Sequence, residues 1–224
     1  MSPTILPPAA KAVIFDAYGT LFDVHSAVAR HSAAIGPDAT RFSEIWRAKQ
    51  LEYSWVLSLA RRYEPFWTLT EAALDYAFAC FPQVDRSLRP LLLDAYRRLD
   101  AYPDARDTLR ALRGRGLRTG ILSNGDPGML DAAVTSAGLT GDLDTVLSVD
   151  AAGVFKTSPR TYDLVLQGLS VAASEVVFVS SNRWDIAGAA AFGFHAVWVN
   201  RLGLPDEYVE LAPSAVIGSL GELV

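Results

Sequence analysis

Short apolar runs, each closed by a polar residue, recur through the second half of the chain and once near its start. Residues 117–123, 145–149, 175–180 and 196–199 are such runs, and blocks of this length predict buried strands. Between them, 103–113, 127–137, 159–168 and 184–192 carry helical spacing. Pro103-Asp104 and Ser158-Pro159 open two of these helices, and Gly114 and Gly116 end the first. Strand alternating with helix over short links predicts an α/β fold, a doubly wound parallel sheet closed by right-handed crossovers. One more run, Lys11 to Asp16, stands alone at the front. It must join the later sheet, because from about Val24 to Ala101 no strand-like run occurs. That segment predicts helices over 24–35, 41–63, 69–80 and 87–99. Thr68-Leu69-Thr70-Glu71 reads as a capping box opening the third, and Glu64-Pro65 and Phe81-Pro82 as helix stops. The Pro-rich residues 1–11 read as a loose arm, and Leu202–Pro213 as a surface loop.

A chain of 224 residues with 50% hydrophobic residues can bury a sizeable core, which excludes a disordered protein. The net charge of −5, with no basic block, leaves no footprint for nucleic acid. No apolar run approaches the roughly 20 residues that span a bilayer, so no membrane role is expected. The start has no basic segment leading into an apolar one, hence no secretory signal is read there. The lone cysteine, Cys80, forbids an internal disulfide and reads as core filler in a soluble cytoplasmic protein. His25, His31 and His195 show neither metal-ligand spacing nor a nucleophile partner.

The chemistry lies where strands end. Asp16 closes the first apolar run, at the carboxyl edge where open α/β sheets bind ligands. By itself it could equally cap the turn made by Gly19 and Thr20. Ser123-Asn124-Gly125 suits close approach to an anion, although the same tripeptide is a plain turn signal. Lys156 follows Val154-Phe155; surface solvation is its ordinary fate, but beside Asp16 it would favour the carboxylate form. A fourth station is Ser180-Ser181-Asn182-Arg183-Trp184-Asp185. In the helical segment Ala48, Leu51, Trp55 and Leu59 recur at helical spacing and predict one face, with Arg47 beside it. An arginine there could simply snorkel to solvent.

These stations occur in an order that resembles the haloacid dehalogenase superfamily. AVIFDAYGTLFD (12–23), SNG (123–125), Lys156 and SSNRWD (180–185) match its four motifs, and WRAKQLEY (46–53) resembles the cap motif of its 2-haloacid dehalogenase branch. The resemblance implies a Rossmann-like catalytic core over 1–23 and 102–224 and an all-helical cap subdomain over 24–101. It implies hydrolysis of short (S)-2-haloalkanoic acids to (R)-2-hydroxyalkanoic acids through an ester on Asp16. Asp16 is then the nucleophile, Thr20 and Lys156 its supports, and Arg47 the group that draws off the halide. Asp185 serves the hydrolytic water, with Ser180 and Asn182 holding the network. Ala17, Tyr18, Leu51, Phe66, Ser123, Asn124, Tyr162 and Trp184 are implied to bind substrate, although core packing accounts equally well for Tyr162. The expected partners are the haloacid, the halide ion and, as is common in the family, a second copy in a homodimer.

Two departures from the superfamily's phosphatases decide between branches. The phosphatases carry a second Asp two residues after the nucleophile, to protonate a leaving alcohol; here that residue is Tyr18. A halide leaves without a proton. An acidic magnesium ligand of those enzymes corresponds to Ser181, and magnesium is usually held by one or two carboxylates. No metal and no cofactor is therefore expected. A phosphatase with unusual acids, betrayed by magnesium-dependent phosphate release, is the alternative, and a non-catalytic binding member of the fold is a more distant one.

Overall fold

The computed structural model describes residues 5–224. Six strands form one parallel sheet in the order β3-β2-β1-β4-β5-β6. They are β1 (Ala12–Phe15), β2 (Arg118–Ser123), β3 (Thr145–Ser148), β4 (Val176–Ser180), β5 (His195–Val199) and β6 (Ala215–Ile217). The isolated front run is thus central: β1 pairs with β2 on one side and β4 on the other, in parallel. All four of its side chains are fully buried, each contributing about 1.5–3 kcal/mol where the side chain is large. Chain order reverses direction across β1, which puts the sheet's topological switch point directly above Asp16.

Five helices lie between β1 and the rest of the core: α1 (Ser26–Ala29), α2 (Ser32–Ile35), α3 (Ala39–Leu59), α4 (Phe66–Cys80) and α5 (Arg89–Arg97). α3 packs on α4, and α1 on α5. Exit and re-entry of the chain are tied together, Asp23 N–H donating to Asp100 C=O and Tyr102 N–H to Leu21 C=O. The remaining helices, α6 (Ala105–Gly114), α7 (Pro127–Ser136), α8 (Pro159–Leu169) and α9 (Arg183–Phe192), alternate with the strands. No described helix is long and apolar enough to cross a membrane.

Several local expectations are corrected. The predicted helix 24–35 is two single turns, broken where His31 leaves helical angles (φ −115°, ψ 12°). α3 stops at Leu59, and Arg61 then turns to φ +54°. α4 starts at Phe66 because Pro65 supplies the extended N-cap residue; the Thr68 capping box does not form, and the Thr70 hydroxyl donates to Phe66 C=O instead. β6 carries no pattern long enough to read, being three residues at the sheet edge. In the arm, residues 1–4 lie outside the described part, whereas Leu6 is buried and Ile5 C=O bonds the His195 ring. Cys80 is exposed at the end of α4, not core filler.

The face of α3 is the largest correction. Ala48, Trp55 and Leu59 are exposed, while Phe42, Trp46, Gln50 and Ser54 are buried. The apolar stripe therefore does not pack the interior of the helical segment. Part of it meets the core across the cleft: Trp55 stands edge-on to Trp184 at 5.5 Å, and Leu51 lines a cavity with Asp16.

Candidate active site

Asp16 continues β1 by one residue, its N–H donating to Val179 C=O of the neighbouring strand. That bond sets the carboxylate at the carboxyl edge of the sheet, level with the ends of β2 and β4. Gly19, at φ +95°, then turns the chain so that Thr20 folds back under it. The Thr20 hydroxyl donates to Asp16 Oδ2 at 3.3 Å and accepts from Ser181 N–H at 2.8 Å. Asn182 Nδ2 donates to the same Oδ2 at 2.8 Å and to Tyr18 C=O at 3.1 Å. Asp16 Oδ1 takes the Lys156 ammonium at 3.0 Å.

Lys156 is fully enclosed and reaches a second carboxylate, Asp185 Oδ2, at 2.7 Å. An unpaired buried ammonium costs several kcal/mol. Here burial pulls the Lys156 pKa down, but Asp16 and Asp185 outweigh it and leave the value raised. Asp185 is itself buried at the start of α9, and desolvation, opposed by Lys156 and reinforced by Asp16, pushes it up to about 6. Its Oδ1 accepts from the Tyr162 hydroxyl at 2.8 Å. Burial, first, and the charge of Asp185 hold that phenol well above its ordinary pKa, so it acts as a neutral donor. Tyr162 fits there because residue 188 is glycine: a Cβ would stand 2.4 Å from its oxygen. Ser180 Oγ accepts from Asn182 N–H at 3.1 Å, which holds the turn that presents Asn182.

A small cavity of about 10 Å3 opens above Asp16, space of the order of one water. Asp16, Tyr18, Arg47, Leu51, Phe66, Ser123, Asn124 and Trp184 line it. Eight of the residues singled out in the sequence thus converge on one hole, from both sides of the cleft. Thr20, Lys156, Asn182 and Asp185 form the network beneath it. Ala17 is buried under the turn, where its C=O accepts from Thr20, Leu21 and Phe22 N–H groups. Tyr162 and Ser180 are buried behind the network and outside the cavity lining. Asn124 Oδ1 accepts from Lys156 N–H at 3.0 Å, which turns the other end of its amide outward. Gly125 is required less by a ligand than by Tyr18, whose ring would lie 2.8 Å from an added Cβ.

Arg47 is half-buried; Nη2 donates to Tyr18 C=O at 3.3 Å and Nη1 approaches Gln50 Oε1 at 3.5 Å. Gln50 and Tyr96, both buried beside it, were not among the residues picked from the sequence. The available signal was Trp46, Gln50 and Ser54 at four-residue spacing, a row whose two polar members no hydrophobic pattern announces as buried. Among the described residues no three His, Cys, Asp or Glu side chains are grouped as a metal set.

The profile of the haloacid dehalogenase-like hydrolases matches residues 10–193. The chain is 49% identical over 214 residues to (S)-2-haloacid dehalogenase 1 of Pseudomonas sp. (strain CBS-3), covering 95% of this chain and 94% of that protein. It is 46% identical to (S)-2-haloacid dehalogenase 4A of Burkholderia cepacia, over 95% and 93% of the two chains. Among solved structures, a dehalogenase with an intermediate complex superposes with a TM-score of 0.95 at 44% identity, over 97% of each chain. The L-2-haloacid dehalogenase of Xanthobacter autotrophicus with chloropropionic acid covalently bound gives 0.88 at 41% identity, over 96% of each.

Proposed function

This chain belongs to the haloacid dehalogenase-like hydrolases, in the branch of the (S)-2-haloacid dehalogenases, and we propose that it hydrolyses short (S)-2-haloalkanoic acids with Asp16 as nucleophile. The observation that carries the reading is the single carboxylate at the floor of a tight cavity walled by Leu51, Phe66 and Trp184, with the Arg47 cation also on its wall. Asp16, Asp185 and Lys156 together carry one net negative charge, which Arg47 balances, so an anionic substrate meets no net repulsion.

In the first step an Asp16 oxygen attacks C2 from the side opposite the halide, forming an ester as the halide departs toward Arg47 and Asn124. Ser123 holds the substrate carboxylate near the carboxyl end of β2. In the second step water attacks the Asp16 carbonyl carbon while Asp185 takes its proton. The oxygen of Asp16 left unesterified keeps its donors from Lys156, Thr20 or Asn182, and these stabilise the negative charge that develops on it. The alkoxide of the 2-hydroxy acid then leaves with the proton held by Asp185. The catalytic core is assigned to 1–23 and 102–224, of which residues 1–4 lie outside the described part, and the cap to 24–101. The lone Cys80 fits a cytoplasmic setting, and exposed Val56 and Leu59 on α3 fit a homodimer.

The test is stereochemical. (S)-2-chloropropionate gives chloride and (R)-lactate, because C2 is displaced once; chiral chromatography reads it, and retained configuration rejects the ester route. A pH dependence follows from Asp185. Its pKa is pushed up to about 6 by burial, and only the carboxylate can accept the water's proton. Where ester hydrolysis limits turnover, kcat falls as the pH drops through that value. Where ester hydrolysis limits turnover, a kcat flat across the same range removes Asp185 as the base.

A further inference from the structure

Arg47 faces the cavity with no carboxylate in direct contact. Among the described residues it forms no ion pair, although carboxylates pair with many other arginines of the chain. Its two protein acceptors are neutral, Tyr18 C=O and Gln50 Oε1. Gln50 is fully buried one turn further along α3. Its amide is held at both ends: Nε2 donates to Thr70 Oγ1 of α4 at 3.2 Å, and Oε1 accepts from the Tyr96 hydroxyl of α5 at 3.2 Å. Thr70 cannot swing away, since its hydroxyl donates to Phe66 C=O and its own C=O takes the Trp46 indole N–H. Tyr96 is fixed as well, its ring stacked on Tyr18 at 5.8 Å and 12°.

Burying an amide is favourable only if its polar atoms are satisfied. An apolar side chain would fill this space between three helices at less risk. A glutamate would hold the guanidinium more strongly, but would cancel its charge. From this arrangement we infer that Gln50, clamped by Tyr96 and Thr70, positions Arg47 over the cavity while leaving its full charge for the departing halide. The inference rests on the reading of Arg47 as the halide's partner. Gln50 touches neither substrate nor halide; it is a positioning residue acting through Arg47.

Gln50→Glu is nearly isosteric and places a carboxylate where Nη1 now meets a neutral oxygen. Halide release in a single turnover of 2-chloropropionate should slow by about tenfold to a hundredfold, the scale of a misplaced or compromised reacting group. Product inhibition by bromide should weaken in parallel, with KM little changed and the far-UV circular dichroism preserved. Tyr96→Phe keeps the ring on Tyr18 and removes the hydroxyl that fixes Oε1 and itself stands beside the Arg47 guanidinium. Its release rate should fall roughly threefold to tenfold, the size of one neutral hydrogen bond. Wild-type release and bromide inhibition in a folded Gln50→Glu protein overturn the inference. If that variant does not fold, the same result in Tyr96→Phe overturns it. If Arg47→Lys is as active as wild type, the assignment of Arg47 itself fails and this inference falls with it; if only the Gln50 and Tyr96 variants are normal, the assignment stands alone.

Discussion

Asp185→Asn mixed with (S)-2-chloropropionate should release roughly one halide per active site and then stop, with the ester retained on Asp16. Asp16 and Asp185 share the Lys156 ammonium, yet they sit differently. Asp16 lines the cavity and can reach C2; Asp185 is wholly buried beneath it. Removing Asp185 leaves Lys156 paired with Asp16, so the nucleophile keeps its ammonium, and the asparagine preserves the shape of the site. What disappears is the group proposed to accept the proton in the second step. General-base assistance is typically worth about a hundredfold to ten-thousandfold, enough for the ester to accumulate. Intact mass should show the adduct and peptide mapping should place it on Asp16. Asp16→Asn should give neither burst nor adduct. A folded Asp185→Asn protein with no burst means either that Asp185 is needed for alkylation or that water attacks C2 directly. A single turnover of the wild type in heavy-oxygen water separates these, since the ester route puts the label into Asp16 and direct attack puts it into the product.

Arg47→Lys should lose about 2–4 kcal/mol of transition-state stabilisation, the range for one charge-stabilising donor. The rate should therefore fall roughly thirtyfold to a thousandfold. A guanidinium can spend one N–H on Tyr18 C=O and another on Gln50 while presenting the rest to a halide. An ammonium is a point charge on a shorter reach and cannot do all three. Arg47 is half-buried and forms no ion pair among the described residues, so its replacement leaves no carboxylate stranded and the fold should survive. Steady-state halide release, with circular dichroism as the control for folding, measures the effect. Undiminished turnover removes Arg47 as the halide's partner.

The α/β alternation, the parallel sheet and the helical insertion after the first strand were legible in the sequence. Buried parallel strands are near-continuous apolar runs, and their short links admit little but right-handed crossovers. The stations at strand ends were legible for the same reason: a lone Asp16 or Lys156 closing an apolar run has few places to go. That strand order puts β1 between β2 and β4 only the tertiary structure decides, and with it which stations meet, because pairing is a contact between segments more than a hundred residues apart. The face of α3 was misread for a related reason. Periodicity reports an apolar stripe but not which neighbour it meets, and here the stripe turns to the cleft and to solvent while a mixed row, Phe42, Trp46, Gln50 and Ser54, is buried. Gln50, Thr70 and Tyr96 could not be linked from sequence, since their partners lie on three different helices and each looks ordinary alone. The sequence by itself therefore determined the α/β class, the helical insertion and the carboxylate proposed as nucleophile. Which polar groups hold Arg47, and the burial that pushes Asp185 up to about 6, exist only once the helices and strands have packed.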